Sequence, residues 1–232
     1  MRLIAALLIA LLAAPAAAQC RLGLVLAIDV SSSVDPGEYE LQKLGLATAL
    51  DSRDVREALL NGPEGYVALA IFEWSGRYQQ KMVLDWTRMD SEAAVDRVVA
   101  TVASAERSHS RFPTAIGYAL GYGAGVLQRG PDCARRVLDV SGDGINNEGF
   151  GPDLAYRNFP FSGVVVNGLV ILGQDPQVLP YYRNEVRHGD GAFVEQARGF
   201  DDFAAAMTRK LYREINDLMV GGLRLPVRGG RG

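Results

Sequence analysis

The stretch Leu22 to Asp35, LGLVLAIDVSSSVD, constrains this chain more than any other. Its apolar run, Leu24 to Ile28, is too short for a helix and branched enough for a strand buried on both faces. The run ends in Asp29-Val30-Ser31-Ser32-Ser33, so one carboxylate and three hydroxyls sit on the turn that leaves the strand. A helix is expected at once, with Asp35 as N-cap, Pro36 at the first helical position and Glu38 completing a capping box. Strand, oxygen-rich turn and helix in this order mark the edge where an open α/β sheet keeps its ligand.

The remaining chain repeats that alternation. Pro36 to about Leu50 reads as a helix with an apolar stripe at Tyr39, Leu41, Leu44, Leu46 and Leu50, followed by a polar connection through Asn61-Gly62-Pro63. Tyr66 to Trp74 is a strand, and Lys81 to Trp86, after a turn at Ser75-Gly76, is its antiparallel edge neighbour. Ser91 caps a helix to about Ala105, Ser108 to Pro113 is an irregular loop, and Thr114 opens a helix carrying Gly117, Gly121 and Gly125. A glycine every four residues is expected here to let that helix lie close on a sheet. Arg136 to Val140 is a buried strand, Asp153 to Phe159 a short helix, and Val164 to Leu172 a strand interrupted by Asn167-Gly168. A short helix at Val178 to Val186, a strand at Ala192 to Ala197 and a helix from Phe200 to about Val220 complete the series. The expected fold is a doubly wound α/β domain: a mostly parallel six-stranded sheet with one antiparallel edge strand and helices on both faces. No internal repeat interrupts it, and residues 19–220 form one domain.

Both ends differ from this domain. Met1 to Ala18 combines Arg2, an apolar stretch from Leu3 to Leu12 and an Ala16-Ala17-Ala18 cleavage site, which reads as an export signal, and the apolar stretch is shorter than the roughly 20 residues of a spanning helix. The expected location is periplasmic or extracellular, with no membrane span after signal removal. Residues 221–232, GGLRLPVRGGRG, read as a flexible tail. Formal charge is −3 and the sequence pI about 5.5, without a basic run, which argues against a nucleic-acid partner. Two cysteines in an exported chain, Cys20 and Cys133, leave a disulfide or two unpaired thiols open. Cys20 lies nine residues before Asp29 and Cys133 ten before Asp143. If their strands are parallel neighbours, about 4.8 Å apart, the two thiols fall within bonding reach.

Three loops carry the chemistry: Asp29, Ser31 and Ser33 after the first strand, Thr114 before the glycine-bearing helix, and Asp143 after RVLDVSG. Together, in this order and on such a sheet, they resemble the metal-ion-dependent adhesion site of the von Willebrand factor type A family. The resemblance spans about Leu22 to Met219, and more narrowly it is to a bacterial exported subset of that family with no assigned function. It implies that the strands ending at Asp29 and Asp143 are neighbours, which the disulfide requires. It also implies that Ser31, Ser33, Thr114, Asp29 and Asp143 hold a divalent cation, directly or through water. Oxygen donors of this kind suit a hard ion, Mg²⁺ first and Mn²⁺ or Ca²⁺ next, rather than zinc. The implied partner is a protein presenting an Asp or Glu side chain to the ion. Gly142 departs from the pattern, which often resembles a Thr-Asp pair at this point, and leaves Ser141 less certain as a supporting hydroxyl.

Other polar residues receive plainer expectations. Asp139, roughly 13 Å along the strand from Asp143, is an interior acid meeting Arg135 or Arg136. Asn146, Asn147 and Glu148 form a solvated turn, His109 and His188 are ordinary loop residues, and Glu73 and Trp74 are weak candidates for partner contact. The leading expectation is a non-enzymatic protein-binding module. A phosphohydrolase using Asp29 is the alternative, but Ser31 stands where its second acid would be. A structural domain with an unused metal site is the third.

Overall fold

The computed structural model describes residues 19–62, 64–173 and 175–221, with side chains to 216 in the last stretch. The expected export signal, residues 1–18, and residues 222–232 of the expected tail lie outside the described residues. The sheet strands are β1 (Cys20–Asp29), β2 (Tyr66–Trp74), β3 (Gln80–Met89), β4 (Cys133–Gly142), β5 (Val164–Ile171) and β6 (Val194–Ala197). Their spatial order is β3-β2-β1-β4-β5-β6, with β3 antiparallel to β2 and every other pairing parallel. The helices are α1 (Pro36–Asp51), α2 (Arg53–Leu60), α3 (Glu92–Ala103), α4 (Ile116–Gln128), α5 (Pro152–Asn158), α6 (Val178–Tyr181) and α7 (Phe203–Gly221). A π-helical turn, Tyr182–Val186, continues α6. The six-stranded, doubly wound α/β fold is therefore as expected.

Central β1 is buried along its whole length. Leu22, Leu24, Leu26 and Ile28 face a core completed by α1, α2, α3 and α7, whereas Val25 and Ala27 face one completed by α4, α5 and α6. Period-2 alternation inside an all-apolar run thus feeds two cores at once. Cys20 and Cys133 are register partners at the start of β1 and β4, with Cα atoms 4.5 Å apart, and they form a disulfide. Closing so long a loop contributes roughly 4 to 5 kcal/mol in the chain-entropy model.

Several local expectations change. The buried stripe of α1 runs through Tyr39, Gln42, Gly45, Leu46, Ala49 and Leu50, while Leu41 and Leu44 are 44% and 51% exposed. Small and polar residues sit on the inner face because α7 passes close: a Cβ on Gly45 would stand 2.9 Å from the Phe203 ring. The polar connection after α1 contains α2, which buries Val55, Ala58 and Leu59 at helical spacing. Strand β5 runs uninterrupted through Asn167-Gly168. Of the three glycines expected to meet the sheet, Gly117 and Gly121 approach instead the residues flanking α5, and a Cβ on Gly125 would meet nothing within 4 Å. A Cβ on Gly117 would meet the Phe150 carbonyl at 2.1 Å, and one on Gly121 the Phe159 ring at 2.7 Å. The helix contact with the sheet comes instead through Gly123, above Leu138.

Candidate metal centre

The carboxyl ends of β1 and β4 bring Asp29 and Asp143 together, and the loop before α4 adds Thr114. Backbone bonds lock these segments to each other: Val30 N–H donates to the Trp74 carbonyl at 2.9 Å, Ser32 N–H to Phe112 at 2.8 Å, and Ala115 N–H to Ser75 at 2.9 Å. The Asp35–Glu38 capping box is formed reciprocally, so α1 starts where the sequence places it.

All five expected residues meet in one chain of contacts. Ser31 N–H donates to Asp29 Oδ1 at 2.8 Å, and Ser31 Oγ lies 3.1 Å from Ser33 Oγ. Ser33 Oγ donates to Asp143 Oδ1 at 2.7 Å, and Thr114 Oγ1 donates to Ser31 Oγ at 3.2 Å. Asp29, Ser31 and Thr114 are buried, whereas Ser33 is exposed and Asp143 half-buried. Burial, and then the charge of Asp143, push the Asp29 carboxyl up to about 8, and burial also raises Asp143. Asp29 Oδ2 is buried without a hydrogen-bond partner.

A dication fits this arrangement. Two acids held close raise each other's cost of ionisation, and a cation would relieve it. One buried carboxylate oxygen has no partner, and the converging donors are all oxygen. Among the described residues no group of three His, Cys, Asp or Glu side chains is placed to hold a metal. A cation here would depend on hydroxyls completing two carboxylates.

Residues with no expected role hold the site in place. The Arg107 guanidinium donates to the carbonyls of Val30, Ser31 and Val34 at 3.1, 3.0 and 2.7 Å, and lies over the Tyr39 ring. Nothing in the sequence around Arg107 signals this, because its three acceptors lie more than 70 positions away. Gln42 Nε2 donates to the Asp29 carbonyl at 2.8 Å. Thr114 sits two residues before α4 rather than opening it, and its N–H is held by Asn147 Oδ1 at 2.9 Å while Asn147 N–H returns to the Thr114 carbonyl. Asn147 is therefore a clasp while remaining exposed to solvent at the cleft, and Asn146 Oδ1 accepts from Gly117 N–H. Ser141 Oγ turns to the Ala27 carbonyl, away from the acids.

Glu73 and Trp74 are buried, and Glu73 accepts from Tyr39 Oη and Ser108 N–H, which removes both residues from partner contact. Asp139 meets Lys210 of α7 at 2.8 Å, while Arg135 and Arg136 donate to the carbonyls of Glu214 and Ser162. A cleft of about 640 Å³ opens beside the centre, lined by Ser33, Thr114 and Asp143 together with Glu38, Asp175 and Asp201.

Residues 19–219 match the family described as "Protein of unknown function (DUF1194)", and the chain belongs to that family. No curated protein matches the sequence at a significant level. Solved structures share the fold. Proximal thread matrix protein 1 from the mussel byssus, with a zinc-occupied MIDAS motif, is similar over 84% of this chain and 48% of its own, at 17% identity and a TM-score of 0.57. A von Willebrand factor type A protein from Catenulispora acidiphila gives 85% and 43%, 16% identity and 0.61. The PilB minor pilin from Streptococcus sanguinis gives 88% and 64%, 14% identity and 0.62. The chain thus spans between 43% and 64% of these proteins. At such identities the likeness establishes a von Willebrand factor type A-like fold.

Proposed function

We propose that this member of the DUF1194 family is an exported, non-enzymatic protein-binding module, periplasmic or extracellular, that engages an acidic side chain of its partner through a divalent cation. The observation that carries the reading is the convergence of Asp29, Ser31, Ser33, Thr114 and Asp143 from three separate loops into one contact chain with an unpartnered carboxylate oxygen. A bound Mg²⁺, with Mn²⁺ or Ca²⁺ as substitutes, would supply an electrophilic centre that accepts a carboxylate oxygen from the partner. Ser31, Ser33 and Thr114 present hydroxyl oxygens to that ion. Asp143, half-exposed on its loop, faces the cleft. Asp29 is fixed through one oxygen by Ser31 N–H, and Arg107 and Gln42 hold the backbone beneath it. Glu38, Asp175 and Asp201 make the cleft acidic, so a partner carboxylate needs the cation to enter. The disulfide fits an oxidising compartment. Among the described residues no helix is long and apolar enough to cross a membrane.

The test is unfolding of the mature protein in chelator, Mg²⁺, Mn²⁺ and Ca²⁺, beside Asp143→Ala. Metal is expected to raise the midpoint of the wild type and leave the variant unmoved. An unchanged midpoint at millimolar metal, together with no Mn²⁺ immobilised in electron paramagnetic resonance, would sink the metal reading and leave a structural domain.

A further inference from the structure

Two glycines of the sheet, Gly142 at the end of β4 and Gly168 within β5, lie on the same face and have one neighbour in common. A Cβ on Gly168 would stand 2.7 Å from Cδ1 of Tyr182, and one on Gly142 would stand 2.6 Å from its Oη. The Tyr182 ring, presented by the π-helical turn after α6, therefore lies in a slot that any larger side chain would fill. That slot ends at the candidate metal centre. The point above Gly142 that lies 2.6 Å from Tyr182 Oη is also 2.7 Å from Asp29 Oδ2, so the two oxygens are no more than 5.3 Å apart. Tyr182 is 0% exposed, Asp29 is 0% exposed, and neither oxygen has a hydrogen-bond partner.

Orphaned buried polar atoms are uncommon in folded proteins, and two that flank the same point call for a common cause. A phenol at neutral pH is a donor, and a carboxyl oxygen accepts both when the acid is ionised and when the proton sits on the other oxygen, so the pair is complementary. We propose that Tyr182 is the positioning residue for Asp29: its hydroxyl reaches Oδ2 through one bridging water beside Gly142, while Ser31 N–H holds Oδ1. Oδ2 has two lone pairs, so one takes this bond and the other stays open to a cation, and Asp29 is fixed from both sides before the ion arrives. The hydroxyl comes from a distant turn because residue 142, a glycine, has no side chain to supply one. This rests on the metal-site reading for its functional meaning, though the Tyr182–Asp29 contact itself does not.

The experiment has a metal-dependent and a metal-free arm. Tyr182→Phe keeps the ring in its slot and removes only the hydroxyl. In Mn²⁺ titration followed by electron paramagnetic resonance, it is expected to weaken binding about 10- to 100-fold, as loss of a partner to a ligating side chain commonly does. Tyr182→Leu, which also empties the slot, serves as the packing control and is expected to bind no more weakly than Tyr182→Phe. In chelator, the urea midpoints of Tyr182→Phe, Asp29→Asn and the double variant form a cycle, and the two substitutions are expected to be non-additive. Mn²⁺ affinity of Tyr182→Phe within twofold of wild type overturns the positioning role, whatever happens to stability. Should wild type bind no Mn²⁺, the metal reading fails on its own, and the cycle decides the contact: additive midpoints overturn it and non-additive midpoints uphold it.

Discussion

Strand β4 and the residue that follows it supply two acids four positions apart, Asp139 within the strand and Asp143 just past its end, and their electrostatic surroundings are opposite. Asp139 is 1% exposed and faces α7, where the fully buried Lys210 Nζ lies 2.8 Å from it and 2.5 Å from Glu214. Its register partner Asn167 donates to Glu214 at 2.7 Å and accepts from Phe193 N–H. Asp143 is half-buried at the strand end and meets a hydroxyl, that of Ser33, rather than a cation. The interior cluster brings its own positive charge from within the fold. The cluster at the strand ends gathers oxygens and leaves the positive charge to come from outside. A polar group in the middle of the sheet must be satisfied by the chain itself, whereas one at the edge can be completed by a ligand.

The largest effect expected is on the interior side of this contrast. Lys210→Met leaves Asp139 and Glu214 buried without their cation, and a loss of about 3 to 5 kcal/mol is expected in urea unfolding, the same in Mg²⁺ as in chelator. A loss under about 1 kcal/mol would mean that the two clusters do not differ in the way described. Asp143→Ala is expected to do the reverse: stability in chelator close to wild type, and loss of the roughly 2.7 kcal/mol that metal at a hundredfold excess over its dissociation constant contributes. Calorimetry with and without Mg²⁺ separates the two variants.

The pH dependence should report on the interior acid as well. Burial, opposed by Lys210 and reinforced by Glu214, pushes Asp139 up to about 7. A carboxyl raised in the folded state binds a proton more tightly there than in the unfolded chain. Its contribution is therefore full below the unfolded value near 4 and is lost as pH rises through about 7. Unfolding midpoints measured across that window are expected to fall for wild type and to fall less for Asp139→Asn; parallel slopes would show that Asp139 does not carry the proton. The smallest effect is expected from Ser33→Ala. Its hydroxyl is exposed, so basal stability should change by under about 1 kcal/mol, while the Mg²⁺-dependent gain shrinks measurably. An intact gain would remove Ser33 from the ion's surroundings.

The sequence revealed elements where one residue type carries one meaning. The apolar run of β1, the Asp35–Glu38 box and β2 from Tyr66 to Trp74 are local patterns, and each appears in its expected place, with β1 extended forward to Cys20. The five candidate residues were visible only as a set of three loops resembling an adhesion site, because an Asp- and Ser-rich turn after a strand is by itself what turns and helix caps use. What stayed hidden depends on distant partners. Arg107 reaches carbonyls more than 70 residues back, and Asp139 pairs with a lysine on the last helix instead of the adjacent arginines. The α1 stripe was misplaced because Gln42 and Gly45 face inward and Leu41 and Leu44 outward, against hydrophobicity. Gly142 and Gly168 looked like an anomaly and an interruption, and both are explained only once the Tyr182 ring is seen lying over them.

The Cys20–Cys133 bond has a topological consequence. It makes residues 20–133 a covalent ring that contains every element from β1 to α4. A protease that cuts once inside this ring opens it without releasing a fragment, and the starts of β1 and β4 remain stapled in register. A cut after residue 133 instead leaves everything downstream of it, including α7 with Lys210, attached by non-covalent contacts alone. The molecule is therefore unequal under nicking followed by denaturation: the part that carries Asp29 and Thr114 stays one covalent piece after a single break, and the part that carries Asp143 does not.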